Sequence, residues 1–177
     1  MKKILLTIGL SCSTLFCFSQ TRDFNSFLSN FNEMKFPYIV DNQSSVKEKD
    51  FVPNKGMKRE VFLTYLNGIK EYTSKESYFY FGKKFNYKGL YILTYQITYF
   101  GDAPALDTIK VELVVFNSQW KMLSKMVIGG QETEDKQINC VLNQDMTFIV
   151  SILNSSNKLI RKQKYFIDID GKIKKQS

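Results

Sequence analysis

GLYILTYQITYF, Gly89 to Phe100, puts large and mostly apolar residues at Tyr91, Leu93, Tyr95, Ile97 and Tyr99 and more polar ones at Thr94, Gln96 and Thr98. A period of two over that length marks a β-strand with one wetter face. The segment that follows the turn-rich GDAPALD repeats the pattern, with Ile109, Val111, Leu113 and Val115 set against Lys110 and Glu112. Asn117 to Trp120 reads as a short hairpin loop, after which Met122, Ser124, Met126 and Ile128 share one face of a third strand that Gly129-Gly130 is expected to end.

The rhythm continues toward the C-terminus. The acidic loop Gln131 to Asp135 leads to Ile138, Cys140 and Leu142, then an Asn143-Gln144-Asp145 turn, then Phe148, Val150 and Ile152. NSSN, Asn154 to Asn157, is the next turn. Leu159 to Ile169 is a sixth strand, closed by the hairpin signal Asp170-Gly171. Connections this short favour antiparallel neighbours, because a parallel crossover needs a dozen or more residues.

On the N-terminal side, Phe24, Phe27, Leu28, Phe31 and Met34 fall on one helical face over Asp23 to Phe36, with Asp23 as N-cap and Phe36-Pro37 as the stop. A second helix is predicted over Met57 to Leu66, ended by Asn67-Gly68. Tyr38 to Val40 reads as a short strand, DNQSSVKEKD (Asp41 to Asp50) as a polar loop, and Tyr78 to Phe81 as a further strand entering the sheet. The fold class expected from these elements is α+β: two N-terminal helices packed on an antiparallel β-meander of about six or seven strands, able to curl toward a partial barrel.

Residues 1–19 have the layout of a secretory signal peptide: Lys2 and Lys3, an apolar run from Ile4 to Phe18, and Ser19-Gln20 at the cut. A lipoprotein signal is the competing reading, but Cys17 follows Thr-Leu-Phe rather than a Leu and small residues. The apolar run falls below the ~20 residues that a membrane-spanning helix needs, so no transmembrane segment is expected in the mature chain. Residues 20–177 then form a single globular domain, periplasmic or extracellular.

The composition removes most catalytic chemistry. The chain has no histidine, which excludes the usual general base and every Ser-His or Cys-His pair. Of its 3 cysteines, Cys12 and Cys17 leave with the signal, so Cys140 stands alone as a buried small hydrophobe, with no disulfide framework and no thiolate zinc site. Carboxylate-pair hydrolysis remains open in principle, yet nothing in the spacing of Glu112, Glu132, Glu134, Asp135 and Asp145 picks out a pair. Asp168-Ile169-Asp170-Gly171 lacks the rest of a calcium loop, and Gly129-Gly130 lacks the Lys-Ser/Thr of a phosphate loop. The reading is therefore non-enzymatic, with no metal and no cofactor.

Two surfaces are candidates for binding. Tyr91, Tyr95 and Tyr99 share a strand face and could stack a ring or line a lipid cleft, although Leu93 and Ile97 on that face favour a core role. The net charge of +8 gathers toward the C-terminus, where Lys158, Arg161, Lys162, Lys164, Lys172, Lys174 and Lys175 face only Asp168 and Asp170. Within that stripe Lys162, Lys164, Lys174 and Lys175 are the candidate contacts for an anionic surface, set against the plainer role of lysines that keep an edge strand from pairing. Nucleic acid is not expected, since no basic residue interleaves the aromatic strand from Gly89 to Gly101.

The layout resembles a loose group of uncharacterised exported proteins of Bacteroidota-type bacteria. The likeness rests on the Lys-Lys signal ending in Ser19-Gln20, the lead to Phe36-Pro37, the Tyr80-Phe81-Gly82 turn and the closing Asp170-Gly171-Lys172. It implies envelope export and carries no activity or site residues. The function expected is that of an exported binding or accessory protein of the cell envelope, partnered by an envelope protein or an anionic surface. The alternative is a carrier of an apolar small molecule or lipid in a curved sheet.

Overall fold

The computed structural model describes residues 24–41, 52–53, 77–99, 108–133 and 135–177. Among them residues 24–28 are helical, and the strands are β1 (Asn32–Glu33), β2 (Tyr38–Val40), β3 (Val52–Pro53), β4 (Ser77–Tyr87), β5 (Leu90–Tyr99), β6 (Thr108–Phe116), β7 (Met122–Thr133), β8 (Lys136–Leu142), β9 (Thr147–Asn154), β10 (Leu159–Ile167) and β11 (Ile173–Lys175). By its contacts the chain divides into Met1–Asn30 and Phe31–Ser177, and the sheet belongs to the second unit.

VELVVF, Val111 to Phe116, explains why the middle of the sheet is dry on both sides. Apolar residues occupy consecutive positions there, and all six residues are buried. Strands buried on both faces read as continuous apolar runs rather than as alternation. β5 behaves alike, with Ile92 and Thr94 buried on one face and Leu93, Tyr95 and Ile97 on the other.

From β4 to β11 each strand pairs antiparallel with the next, while β1 adds in parallel outside β4 at Asn32↔Lys83 and Glu33↔Lys84. Two strands lie off this path: β3 on β4, and β2 on β8. β7 pairs with β6 as far as Gly130 and with β8 from Gly130 to Thr133; beyond Ile138, β2 replaces it along β8 at Tyr38↔Leu142, Ile39↔Val141 and Val40↔Cys140. Gly129 makes this exchange possible, because a Cβ there would lie 2.2 Å from Cγ1 of Val40. Gly130 has φ 101, and a Cβ on it would lie 2.0 Å from the carbonyl oxygen of Ile109. Only glycine meets both demands.

The sheet curls. Neighbouring strands lie about 4.8 Å apart, so in a flat sheet β10 would sit about 14 Å from β7. Instead Ser124 Oγ donates to the carbonyl of Gly171 at 2.6 Å, and Lys172 Nζ donates to the carbonyl of Leu123 at 2.8 Å. The concave face closes over one core of Ile92, Leu113, Ile128, Leu142, Phe148 and Ile167 with their neighbours. The curl stops short of a barrel, with β1 and β11 as the two ends of the ladder.

Four hairpins use one turn. In each, an Asn or Asp at the first position donates its N–H to the carbonyl four residues on and accepts from the N–H three residues on: 117–121, 143–147, 154–158 and 168–172. The fourth residue is left-handed every time, at Trp120 (φ 63), Met146 (φ 66), Asn157 (φ 58) and Gly171 (φ 73). The side chains of Asn117, Asn154 and Asp168 also accept from the backbone two and four residues on, which holds the turn through local bonds.

The α+β expectation is corrected here. Phe24, Phe27, Phe31 and Met34 are all buried, as their spacing implied, but the helix runs only over 24–28 before the chain turns into β1. Ser29 Oγ and Asn30 Nδ2 donate to the carbonyl of Ser26, and Asn30 Nδ2 also reaches that of Phe27. Side chains thereby take carbonyls that the next helical turn would have used. The helix expected over Met57 to Leu66 lies outside the described residues. The chain is mostly β: a mixed, open sheet of more strands than the six or seven expected, with one short helix among the described residues.

Candidate functional site

The convex side of the curl is where the two ends of the sheet differ. On β4, β5 and β6 the convex residues Phe81, Tyr95, Ile97 and Val114 are buried, and Phe31 packs edge-on against Phe81 with ring centroids 5.0 Å apart. On β2, β8 and β10 the convex side is open, with Ile39 50% and Val141 38% exposed.

Cross-strand partners share a face, so register gives the layout of that open surface. One row runs Ile39, Val141, Ile149, Lys164 across β2, β8, β9 and β10. The row beside it runs Asn139, Ser151, Lys162, and a third runs Thr147, Phe166, Lys174 across β9, β10 and β11. Each row ends on a lysine, and all three lysines are exposed. The structure thus brings Lys162, Lys164 and Lys174 together beside an apolar strip. Lys175 pairs with Tyr165 and falls on the other face, so it is separated from them.

The charges are not equivalent. Lys174 Nζ lies 2.7 Å from Oδ2 of Asp168. The hydrogen bond from Lys174 is the main reason that the Asp168 carboxyl is held below its ordinary value, with the backbone N–H of Lys172 next; Lys174 is raised in return. Asp145 is also lowered, chiefly by the Thr147 hydroxyl, with Lys164 adding a smaller electrostatic pull. Lys162 and Lys164 therefore carry the outward positive charge of the face.

The three tyrosines have separate fates. Tyr95 is fully buried, and its hydroxyl donates to Oε2 of Glu112, the residue opposite it in β6. Tyr91 is half-buried and packs against Trp120 with the rings tilted at 42° and their centroids 4.1 Å apart. Tyr99 ends β5 opposite Ser77 and Thr108. Trp120 was legible only as a loop residue; nothing in the sequence places it against Tyr91. Glu112 read as a residue of the wetter face, yet it is 4% exposed.

Cys140 is buried on the concave face, and burial pushes its thiol up to about 12. Comparison of the chain with known protein families, with curated proteins and with solved structures gave no match. The likeness to exported Bacteroidota-type proteins accordingly rests on sequence motifs alone. Among the described residues no helix is long and apolar enough to cross a membrane.

Proposed function

We propose that this chain is an exported, non-enzymatic binding protein of the bacterial cell envelope that meets an anionic partner through the convex face of β8, β9 and β10. The observation that carries this reading is the convergence of Lys162, Lys164 and Lys174 at the ends of three adjacent rows, next to exposed Ile39 and Val141. Charge steers the encounter and apolar contact holds it. Export is supported by the layout of residues 1–20, and a non-enzymatic role by the lack of histidine. Against the carrier alternative weighs the filling of the concave face by Ile92, Leu113, Leu142 and Phe148, where a ligand would have to sit.

The test is retention of residues 20–177 on an anionic matrix at low salt. Lys162→Glu combined with Lys164→Glu is expected to lower the salt needed for elution sharply. Lys175→Glu, on the opposite face, should change it little. The double variant changes the net charge twice as much as Lys175→Glu, so an effect of Lys175→Glu about half as large would mean that net charge alone is being read, and the face would lose its role.

A further inference from the structure

One stretch of β10 is left open beyond β11. β11 pairs only with Tyr165, Phe166 and Ile167, extended by the N–H of Gln176 donating to the carbonyl of Lys164 at 2.9 Å. β9 lines the other side of β10 from Leu159 to Phe166, with a register shift that leaves Ile160 without a partner. Among the described residues, no strand pairs with 159–163 on the side that β11 leaves uncovered, where only Gln163 Nε2 reaches the carbonyl of Gln176 at 3.3 Å. Backbone groups alternate sides along a strand. Lys164 turns its carbonyl toward β11, while the N–H of Ile167 points the other way, to Met146. The N–H and carbonyl of Lys162 therefore face the uncovered side.

Long, apolar, uncovered edges are usually suppressed. Here Leu159 is 58% and Ile160 52% exposed along the open stretch. The flanking charges are all of one sign: Lys158, Arg161, Lys162 and Lys164, with no acidic residue between Asn154 and Tyr165. A second copy pairing antiparallel on this edge would bring those cations against their own kind, which cross-strand pairs do not tolerate. A strand bearing carboxylates meets the opposite condition.

We infer that the edge of β10 at 159–163 accepts an extended acidic polypeptide segment as an added antiparallel strand. The backbone of Lys162 supplies ladder hydrogen bonds, Leu159 and Ile160 receive apolar side chains, and Arg161, Lys162 and Lys164 pair with carboxylates. This deepens the function proposed above and rests on it for the sign of the partner, while adding that the partner is a polypeptide bound through its backbone.

The probe is a fluorescein-labelled short peptide of alternating Glu and Val, titrated with residues 20–177 and followed by anisotropy. Its comparators are the same peptide N-methylated at alternate residues, which keeps the charge but cannot form a ladder, and a peptide of alternating Lys and Val. The expected result is binding of the Glu-Val peptide alone, slowed amide exchange at Lys162 on binding, and about tenfold or greater weakening by Lys162→Pro. Proline is accepted on edge strands, so the thermal midpoint of that variant should match the parent; if it does not, the N-methylated peptide decides. Equal binding of the N-methylated peptide overturns strand addition and leaves an electrostatic face. Retention on phosphatidylglycerol vesicles without peptide binding overturns it in favour of a lipid surface, and a dimer dispersed by Lys162→Pro overturns it in favour of self-pairing. Elution from the anionic matrix insensitive to Lys162 and Lys164 removes the function proposed above instead.

Discussion

Met146 and Asn157 occupy the same left-handed corner of the same turn, yet glycine should have opposite effects at the two. A left-handed conformation costs an L-residue about 1 kcal/mol, which glycine avoids. Asn157 is exposed, so Asn157→Gly relieves the backbone and loses little; a gain of up to about 1 kcal/mol in unfolding free energy is expected. Met146 is fully buried in the concave core, and its removal forfeits about 2–4 kcal/mol of packing, which outweighs the relief. Urea unfolding of both variants checks the sign of each. The buried thiol of Cys140 makes a second expectation at this scale. With its ionisation pushed up to about 12, it should stay unreactive toward an aromatic disulfide reagent at mildly alkaline pH and react fully once urea unfolds the chain. Rapid labelling of the folded protein would contradict the burial.

At the scale of elements, the strands were legible because period two and Asn/Asp-rich turns are local signals. β5, β6, β8, β9 and β10 lie where the alternation puts them, and the turns read at Asn117 to Trp120, Asn143 to Asp145 and Asn154 to Asn157 join the strands they were read to join, whereas the turn read at Tyr80-Phe81-Gly82 lies inside β4. What local pattern does not encode is what covers a face. Phe24, Phe27, Phe31 and Met34 carry the same apolar spacing whether a helix continues or breaks after one turn, and the break comes from Ser29 and Asn30 bonding backwards. Gly129-Gly130 read as a strand end and is instead a bend inside β7, required by the approach of Val40 from residues far away in sequence. The candidate face was legible as a run of lysines but not as a surface, since Ile39 and Val141 join it only through the pairing of β2 with β8.

The β7 bend yields a prediction of its own. Gly130→Ala drives a Cβ into the Ile109 carbonyl at a left-handed φ, with backbone rather than a flexible side chain as the obstacle. A loss of about 3 kcal/mol or more in unfolding free energy is expected, measurable by urea titration. The β10–β11 turn is sensitive to pH. Asp168 is depressed below 3.8, so its contribution is complete above that value and is lost as pH falls through its folded value. Lys174 is raised above 10.5, so the same pair weakens again as pH rises through that raised value. Amide shifts of Asp170 and Lys172 should move in the acid range. Asp168→Asn, which keeps the accepting oxygen, should hold the turn and abolish the titration.

For the sheet as a whole, the curl decides whether its two ends unfold together. Strands that met only their ladder neighbours could peel from one end, as in a linear repeat. Here residues of β5 and β6 share a core with residues of β8, β9 and β10, and the β10–β11 turn is clipped to β7 through Ser124 and Lys172. Removing a side chain at one end must then loosen the other. Phe148 lies fully buried in β9, and Phe148→Ala should cost about 3–5 kcal/mol through lost burial and the cavity left behind. The single tryptophan, Trp120, sits in the β6–β7 hairpin against Tyr91 and reports on the middle of the ladder, β5 to β7. In a cooperative unit the urea midpoint by Trp120 fluorescence falls as far as the midpoint by far-ultraviolet circular dichroism, and both traces stay superimposed. A Trp120 transition left in place while the circular dichroism shifts would mean that β5 to β7 unfold separately from β8 to β10. The shared core would then hold its shape without coupling its stability.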